Sequence, residues 1–224
     1  MKRYLSLAII TILSVNVAVA ADVTLKTEED RLSYTLGVQV GEDFKLRGFE
    51  VNVDAFAQAI ADVLANSSLK LTAAEMDAEK QNFQKKQMKK RFEVAEKNKQ
   101  IGEAFLAKNK AKAGIKTLAN GIQYNVITPG SGAIPTKTDT VSAHYRGTLT
   151  NGKEFDSSYN RGQPASFPVG GVIKGWQEVL QLMKVGAKWK VYIPSEFAYG
   201  ERGAGADIGP NETLIFDIEL LGIK

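Results

Sequence analysis

Nine side chains in the C-terminal half of this 224-residue chain are of the types that build an apolar pocket around a single acid. Tyr145, Phe155, Asp156, Phe167, Val172, Ile173, Trp176, Tyr199 and Phe216 fall at strand ends and loop edges, where a folded sheet can gather them. A pocket of that makeup suits a small or peptidic ligand gripped by rings and a few polar contacts. It does not suit bond cleavage, because the His, Cys or carboxylate clusters of a hydrolase or metal enzyme do not accompany it. The single histidine, His144, alternates with Tyr145 along a strand and so falls on the opposite face. Neither a metal nor a cofactor is expected.

These positions call for a sheet. Val141, Ala143, Tyr145, Gly147 and Leu149 alternate onto one face of a strand, and residues 187–193 and 213–222 read as further strands. Asn120-Gly121 and Asn151-Gly152 are hairpin-turn signals. Residues 175–183 are the one helical stretch in this half. Tyr199 opens a loop carrying Gly200, Gly203, Gly205, Gly209 and Pro210, which reads as a mobile flap over a ligand or as an ordinary connection. Asp156, ahead of Ser157 and Ser158, fits either a pocket or a capped turn. A small antiparallel sheet wrapped over one short helix is an α+β arrangement.

The N-terminal half is helical. Thr27 with Asp30 caps a helix in which Leu32, Leu36, Val40 and Phe44 recur every four residues. Gly37 and Gly41 lie on neighbouring turns, where they either admit a close partner helix or merely weaken their own. Gly48 ends that helix, Asn52 caps the next, and Phe56, Ile60, Val63 and Leu64 form its apolar stripe before Asn66-Ser67-Ser68. Two short helices cannot enclose a core. A second copy of the same hairpin is the simplest partner. A capping box at Thr72 and Glu75 then starts a helix that, run to Lys112, holds about 40 residues and spans about 60 Å. Its apolar residues Phe83, Met88, Phe92, Val94, Ile101 and Phe105 keep no strict heptad, while Lys85, Lys86, Lys89, Lys90 and Arg91 crowd one stretch. That stretch reads as a solvated connecting helix or as a basic docking surface.

Lys2 and Arg3 precede an apolar run, and Ala18-Val19-Ala20 supplies small residues for cleavage, so residues 1–20 read as a secretory signal peptide. The run is too short for a stable membrane anchor, and no integral membrane segment is expected after its removal. Cysteine is absent, which suits an oxidising compartment and excludes a lipoprotein cysteine. The formal charge of +4 falls to +2 without Lys2 and Arg3, with 27 basic side chains against 25 acidic. Export and the missing readout motif argue against a nucleic-acid partner.

Five segments in order sharpen the reading: 144–149 (HYRGTL), 151–158 (NGKEFDSS), 172–176 (VIKGW), 197–200 (FAYG) and 213–221 (TLIFDIELL). Together they resemble the FKBP-type peptidyl-prolyl cis/trans isomerases across the last half of the chain. Residues 32–37 (LSYTLG) and the Lys-rich helix resemble the Mip- and FkpA-like bacterial periplasmic or surface branch. The resemblance implies an isomerase domain over 114–224, a connecting helix over 71–113 and a helical dimerisation region over 21–70. It implies Trp176 as the pocket floor beneath a proline ring, with Tyr145, Phe155, Val172, Ile173 and Phe216 as walls. Asp156 would sit beside the rotating amide with Arg161 orienting it, and the Ile173 N–H and Tyr199 hydroxyl would hold substrate carbonyls. Phe167 and Ile208 complete the implied substrate contacts.

The implied protein is a homodimeric folding helper for unfolded or proline-containing exported proteins, in the periplasm or at the outer membrane or cell surface, and it binds FKBP-class macrolides. The alternative is a holdase or surface-exposed binding or virulence protein without turnover. Ala165 stands where many relatives carry an aromatic, and Ala204 and Asp207 are smaller or more polar than usual flap residues, which implies a more open groove on that side.

Overall fold

The structure is a computed structural model that describes residues 23–224, so the signal segment and its cleavage point lie outside the described residues. The chain divides into two compact units, one ending at Ser68 and one spanning Leu69–Lys224.

In the first unit, α1 (Glu28–Arg47) begins at the Thr27 and Asp30 capping box and ends at Gly48, which takes the left-handed conformation. Asn52 caps α2 (Val53–Leu64) by accepting from the Ala55 N–H. Phe44 packs edge-on against Phe56, ring centroids 5.4 Å apart, and this contact closes the hairpin. Neither helix buries a residue within the chain. Leu32, Leu36, Ile60 and Val63 stay exposed, and a side chain added at Gly37 or Gly41 would meet nothing within 4 Å.

The second unit opens with α3 (Ala73–Asn109), capped by Thr72 and Glu75 as expected. It passes through Gly102 and stops at Asn109, three residues short of the expected Lys112. Its 37 residues span about 55 Å. Seven antiparallel strands follow: β1 (Ile115–Thr117), β2 (Gln123–Pro129), β3 (Thr140–Leu149), β4 (Glu154–Ser157), β5 (Ala165–Pro168), β6 (Ala187–Ile193) and β7 (Leu214–Ile223). Their order is β1-β2-β6-β7-β3-β4, with β5 also on β3. The short helix α4 (Lys174–Leu180) ends before the expected Met183, which is buried just beyond the turn that follows it. The expected face of β3 is the buried one: Val141, Ala143, Tyr145, Gly147 and Leu149 all point into the core. Trp176, Val179, Leu180 and Met183 meet that face and close the core against the sheet.

Both Asn-Gly pairs make hairpins, though not the two-residue type in which asparagine also takes a positive φ. Leu118 and Ile122 bracket one three-residue loop, and Leu149 and Lys153 the other, with only Gly121 and Gly152 at positive φ. Each asparagine carboxamide accepts the N–H two residues on, Ile122 at 3.3 Å and Lys153 at 2.9 Å. This Asx geometry offers the asparagine a stable alternative to the left-handed conformation.

The C-terminal part of α3 packs on the sheet domain, and its docking face is a heptad of mostly small or polar residues. Arg91, Ala95, Asn98, Gly102, Phe105 and Asn109 follow spacings of four and three. Ala95, Gly102 and Asn109 are buried, Phe105 meets Tyr192, and Asn109 donates to the Gln123 side chain at 3.0 Å. Phe83, Met88, Phe92, Val94 and Ile101, apolar residues that keep no strict heptad, are exposed.

Gly102 marks the closest approach, since an added Cβ would lie 2.2 Å from the Thr213 hydroxyl. Gly→Ala in a helix interior ordinarily stabilises by about 1 kcal/mol. Here Gly102→Ala is expected to destabilise by about 1–3 kcal/mol through overpacking. Adding Thr213→Ala should recover part of the loss in thermal denaturation.

Candidate active site

The site forms where β3 changes partners. Its first half pairs with β5, from Thr140 with Pro168 to Ala143 with Ala165, and its last residues pair with β4, starting at Arg146 with Ser157. Tyr145 sits at the handover. Buried Ser158 takes over there: its Oγ accepts the Tyr145 N–H at 2.8 Å and its own N–H donates to the Tyr145 carbonyl at 2.9 Å. The backbone of β3 thus stays satisfied while β4 and β5 splay apart, and a concavity opens over the tyrosine ring.

Nine of the eleven residues singled out from the sequence line that concavity, a cavity of about 330 Å³: Tyr145, Phe155, Asp156, Phe167, Val172, Ile173, Trp176, Tyr199 and Phe216. Trp176, from the first turn of α4, is its centre. Tyr145, Phe167 and Phe216 present their rings to it at 5.4, 5.5 and 5.3 Å, each close to perpendicular. Edge-to-face packing sets ring edges against faces and holds the four aromatics in one arrangement. Phe155 continues the series against Phe216 at 5.6 Å. Gly147 makes this possible, because a Cβ there would stand 2.6 Å from the Phe155 ring and 2.9 Å from that of Phe216.

Polar groups gather at one rim. The Tyr145 hydroxyl donates to Asp156 Oδ2, Arg161 Nη1 donates to Asp156 Oδ1 at 2.5 Å, and Arg161 Nη2 donates to the tyrosine oxygen at 2.7 Å. Burial pushes the Asp156 carboxyl up, but the hydrogen bonds from Tyr145 and Arg161 and the guanidinium charge outweigh it and hold the group below the usual carboxylate range. The Tyr145 phenol moves up, through burial first and then its bond to Asp156. Tyr199 moves up through burial and the Asp156 charge. Both phenols therefore remain protonated donors beside an ionised acid. Tyr199 is half-exposed and lines the same cavity.

Arg161 lies on the rim, tied to Asp156 and Tyr145. Ile208 lies apart from the cavity lining. It is buried in the flap's own small loop, exchanging backbone hydrogen bonds with Ala204 at 2.9 and 3.1 Å. Asp207 points elsewhere too and pairs with Lys153 of the β3–β4 turn at 2.9 Å. His144, as expected, faces the other side of the sheet, stacked on Tyr159 with Nδ1 3.0 Å from Ser158 Oγ.

Three contributors escaped the sequence reading. Gly171 lines the cavity, Ser158 supports the handover, and Gln177 donates to the Val172 carbonyl at 2.7 Å, bracing the turn that presents Ile173. The Ile173 N–H, at the start of α4, donates to no acceptor among the described residues. The Trp176 indole N–H is buried and also unpartnered among them. A dry aromatic cup with a few free donors at its edge can hold a planar apolar ring and the carbonyls on either side of it.

Comparison with known proteins agrees with this geometry. Residues 132–221 match the family described as FKBP-type peptidyl-prolyl cis-trans isomerase, and residues 29–126 match the domain amino terminal to it. The chain is 46% identical to "Outer membrane protein MIP" of Legionella longbeachae, covering 100% of this chain and 99% of that protein. It is 45% identical to "Peptidyl-prolyl cis-trans isomerase Mip" of Coxiella burnetii over 89% of each. Among solved structures, FkpA from Escherichia coli superposes with a TM-score of 0.65 at 36% identity, covering 90% of this chain and 99% of that one. The chain belongs to the FKBP-type peptidyl-prolyl cis/trans isomerases. Within that class it is similar to the Mip and FkpA proteins along nearly its whole length, and it is an enzyme of that activity.

Two outcomes follow from the packing and charge of the site. Trp176→Ala should cost about 3–5 kcal/mol of stability in chemical denaturation, as truncation of a buried aromatic does. Asp156 binds its proton more weakly folded than unfolded, so its contribution is present above the ordinary Asp pKa and is lost as pH falls through the lower folded value. The stability difference between wild type and Asp156→Asn should hold constant down to about pH 5 and shrink below about pH 4.

Proposed function

We propose that the aromatic cavity is where the prolyl bond turns, and that the whole chain assists the folding of exported proteins. The observation that carries this reading is the convergence of Trp176, its three perpendicular ring neighbours and an ionised Asp156 on one cavity. An Xaa-Pro amide isomerises over tens to hundreds of seconds, because its partly double C–N bond must twist. No covalent bond breaks. Acceleration therefore requires only that the twisted amide be bound better than either planar form.

In this reading the proline ring lies on Trp176, walled by Tyr145, Phe155, Phe167, Val172 and Phe216. The Ile173 N–H and the Tyr199 hydroxyl donate to the flanking carbonyls. As the bond twists, resonance is lost and the amide carbonyl becomes more ketone-like, which an apolar surround tolerates better than the strongly dipolar planar form. Asp156, held by Arg161 and Tyr145, places a fixed charge beside the rotating group, an electrostatic arrangement set before the reaction begins. An FKBP-class macrolide would occupy the same cup. Ala165, opposite Ala143 on β5, leaves that side open to a substrate's flanking residues.

The helical half supplies the second part of the proposal. Leu32, Leu36, Phe56 and Ile60 form an apolar surface that its own chain leaves exposed, and a second copy is its proposed cover. A homodimer presents two isomerase domains to one unfolded client, so that release from one site is followed by recapture at the other. The name of the Legionella longbeachae relative and the expected signal peptide support an envelope location. No helix among the described residues is long and apolar enough to cross a membrane.

Asp156→Leu and Tyr199→Phe should each lower kcat/KM on Xaa-Pro peptides by roughly tenfold or more while the chain stays folded, because the side chains sit at the rim. Full activity in a folded Asp156→Leu chain would remove that residue from the mechanism. The unit Leu69–Lys224 should be monomeric by light scattering and active on peptides, yet much poorer than the whole chain in refolding a proline-limited protein. Equal refolding rates would leave the helical half without a chaperone role.

A further inference from the structure

The flap that carries Tyr199 is gripped along its length by α3. Arg91, the last residue of the basic run, leaves that run's solvated face and donates through one nitrogen, Nη2, to the carbonyls of Glu201 at 3.1 Å and Arg202 at 3.0 Å. These carbonyls close the single 3-10 turn Gly200–Arg202, which begins directly after Tyr199. A guanidinium there caps the end of a short helical turn, where unpaired carbonyls concentrate negative potential. One turn and two turns further along α3 the grip repeats. The Asn211 side chain donates to the Ala95 carbonyl at 3.5 Å, and Asn98 donates to the Pro210 carbonyl at 2.9 Å. Gly102 then abuts Thr213, where the flap returns to the sheet. The Asn211 N–H also donates to the Gly200 carbonyl at 2.8 Å, tying the two ends of the flap together.

We propose that Arg91 is a positioning residue for the isomerase reaction, acting through the flap to hold the Tyr199 hydroxyl over the cavity. Resting on the reading of Tyr199 as a substrate contact, this assigns α3 a part in the site as well as in joining the two halves of the chain. The charge of Arg91 is used on two adjacent carbonyls, which a single ammonium can also reach, so lysine is the conservative replacement and methionine the uncharged one. Because a substrate carbonyl is held by Tyr199 in the ground and transition states alike, loosening the flap should raise KM more than it lowers kcat.

The test uses the whole chain and a set of Xaa-Pro peptides, with kcat and KM measured separately and thermal melts as a control for folding. Arg91→Met should lose roughly tenfold in kcat/KM, chiefly through KM, the scale of a small misplacement remote from the reacting bond. Arg91→Lys should return to within about threefold of wild type, as expected if a charged donor to the carbonyls is what matters. In a Tyr199→Phe background, adding Arg91→Met should cost nothing further, because both act on one contact. Wild-type kcat and KM in Arg91→Met, or its full cost in the Tyr199→Phe background, overturns the proposal. A defective Tyr199→Phe beside an unaffected Arg91→Met overturns it alone and leaves the site reading standing, whereas a Tyr199→Phe chain as active as wild type removes both.

Discussion

The lodging of Trp176 among Tyr145, Phe167 and Phe216 is the contact on which the isomerase domain turns. These rings come from α4, β3, β5 and β7, so one cluster joins the helix to three strands that are distant in sequence. The same indole that completes the core is the floor of the cavity. A site with this floor cannot be loosened without loosening the fold, and its shape is set before any substrate arrives.

The rim is built on different physics. Arg161, Asp156 and Tyr145 form a closed triangle of charge-assisted bonds in a partly solvated setting, where geometry and polarity count for more than net stabilisation. An apolar floor and a polar rim divide the work: in the proposed reaction the floor would exclude water from the amide, while the rim holds one acid ionised. Tyr145 belongs to both, its ring packed on Trp176 and its hydroxyl bonded to Asp156.

Helix α3 is held on this domain by close approach rather than by hydrophobic area. Gly102 lets the helix backbone come down on Thr213, and at the helix end Asn109 donates to the Gln123 side chain, which itself donates to the Leu106 carbonyl. Small residues and amides allow such an approach, and each buried amide then needs a specific partner. The helix is therefore held in one register, and the flap with it.

Much of the local structure is legible in the chain because it depends on neighbours in sequence. The capping boxes at Thr27 and Thr72, the stop at Gly48, the alternating face of β3 and the Asn-Gly hairpins are each decided within a few residues by backbone donors and side-chain volume. The pocket residues could be named for a related reason: large aromatics at strand ends have few other places to go. What the sequence left open depends on groups brought together from afar. The docking heptad of α3 is invisible to hydrophobic periodicity because arginine, asparagine and glycine hold most of it, and Phe105 is its one large apolar residue. Ile208 looked like a pocket residue until the loop closed on Ala204 and turned it into the core. Ser158 and Gln177 carry no signal of their own, since a hydroxyl or an amide becomes structural only when a particular backbone group, stranded by the splitting of β4 from β5 or by the turn before α4, is placed within its reach.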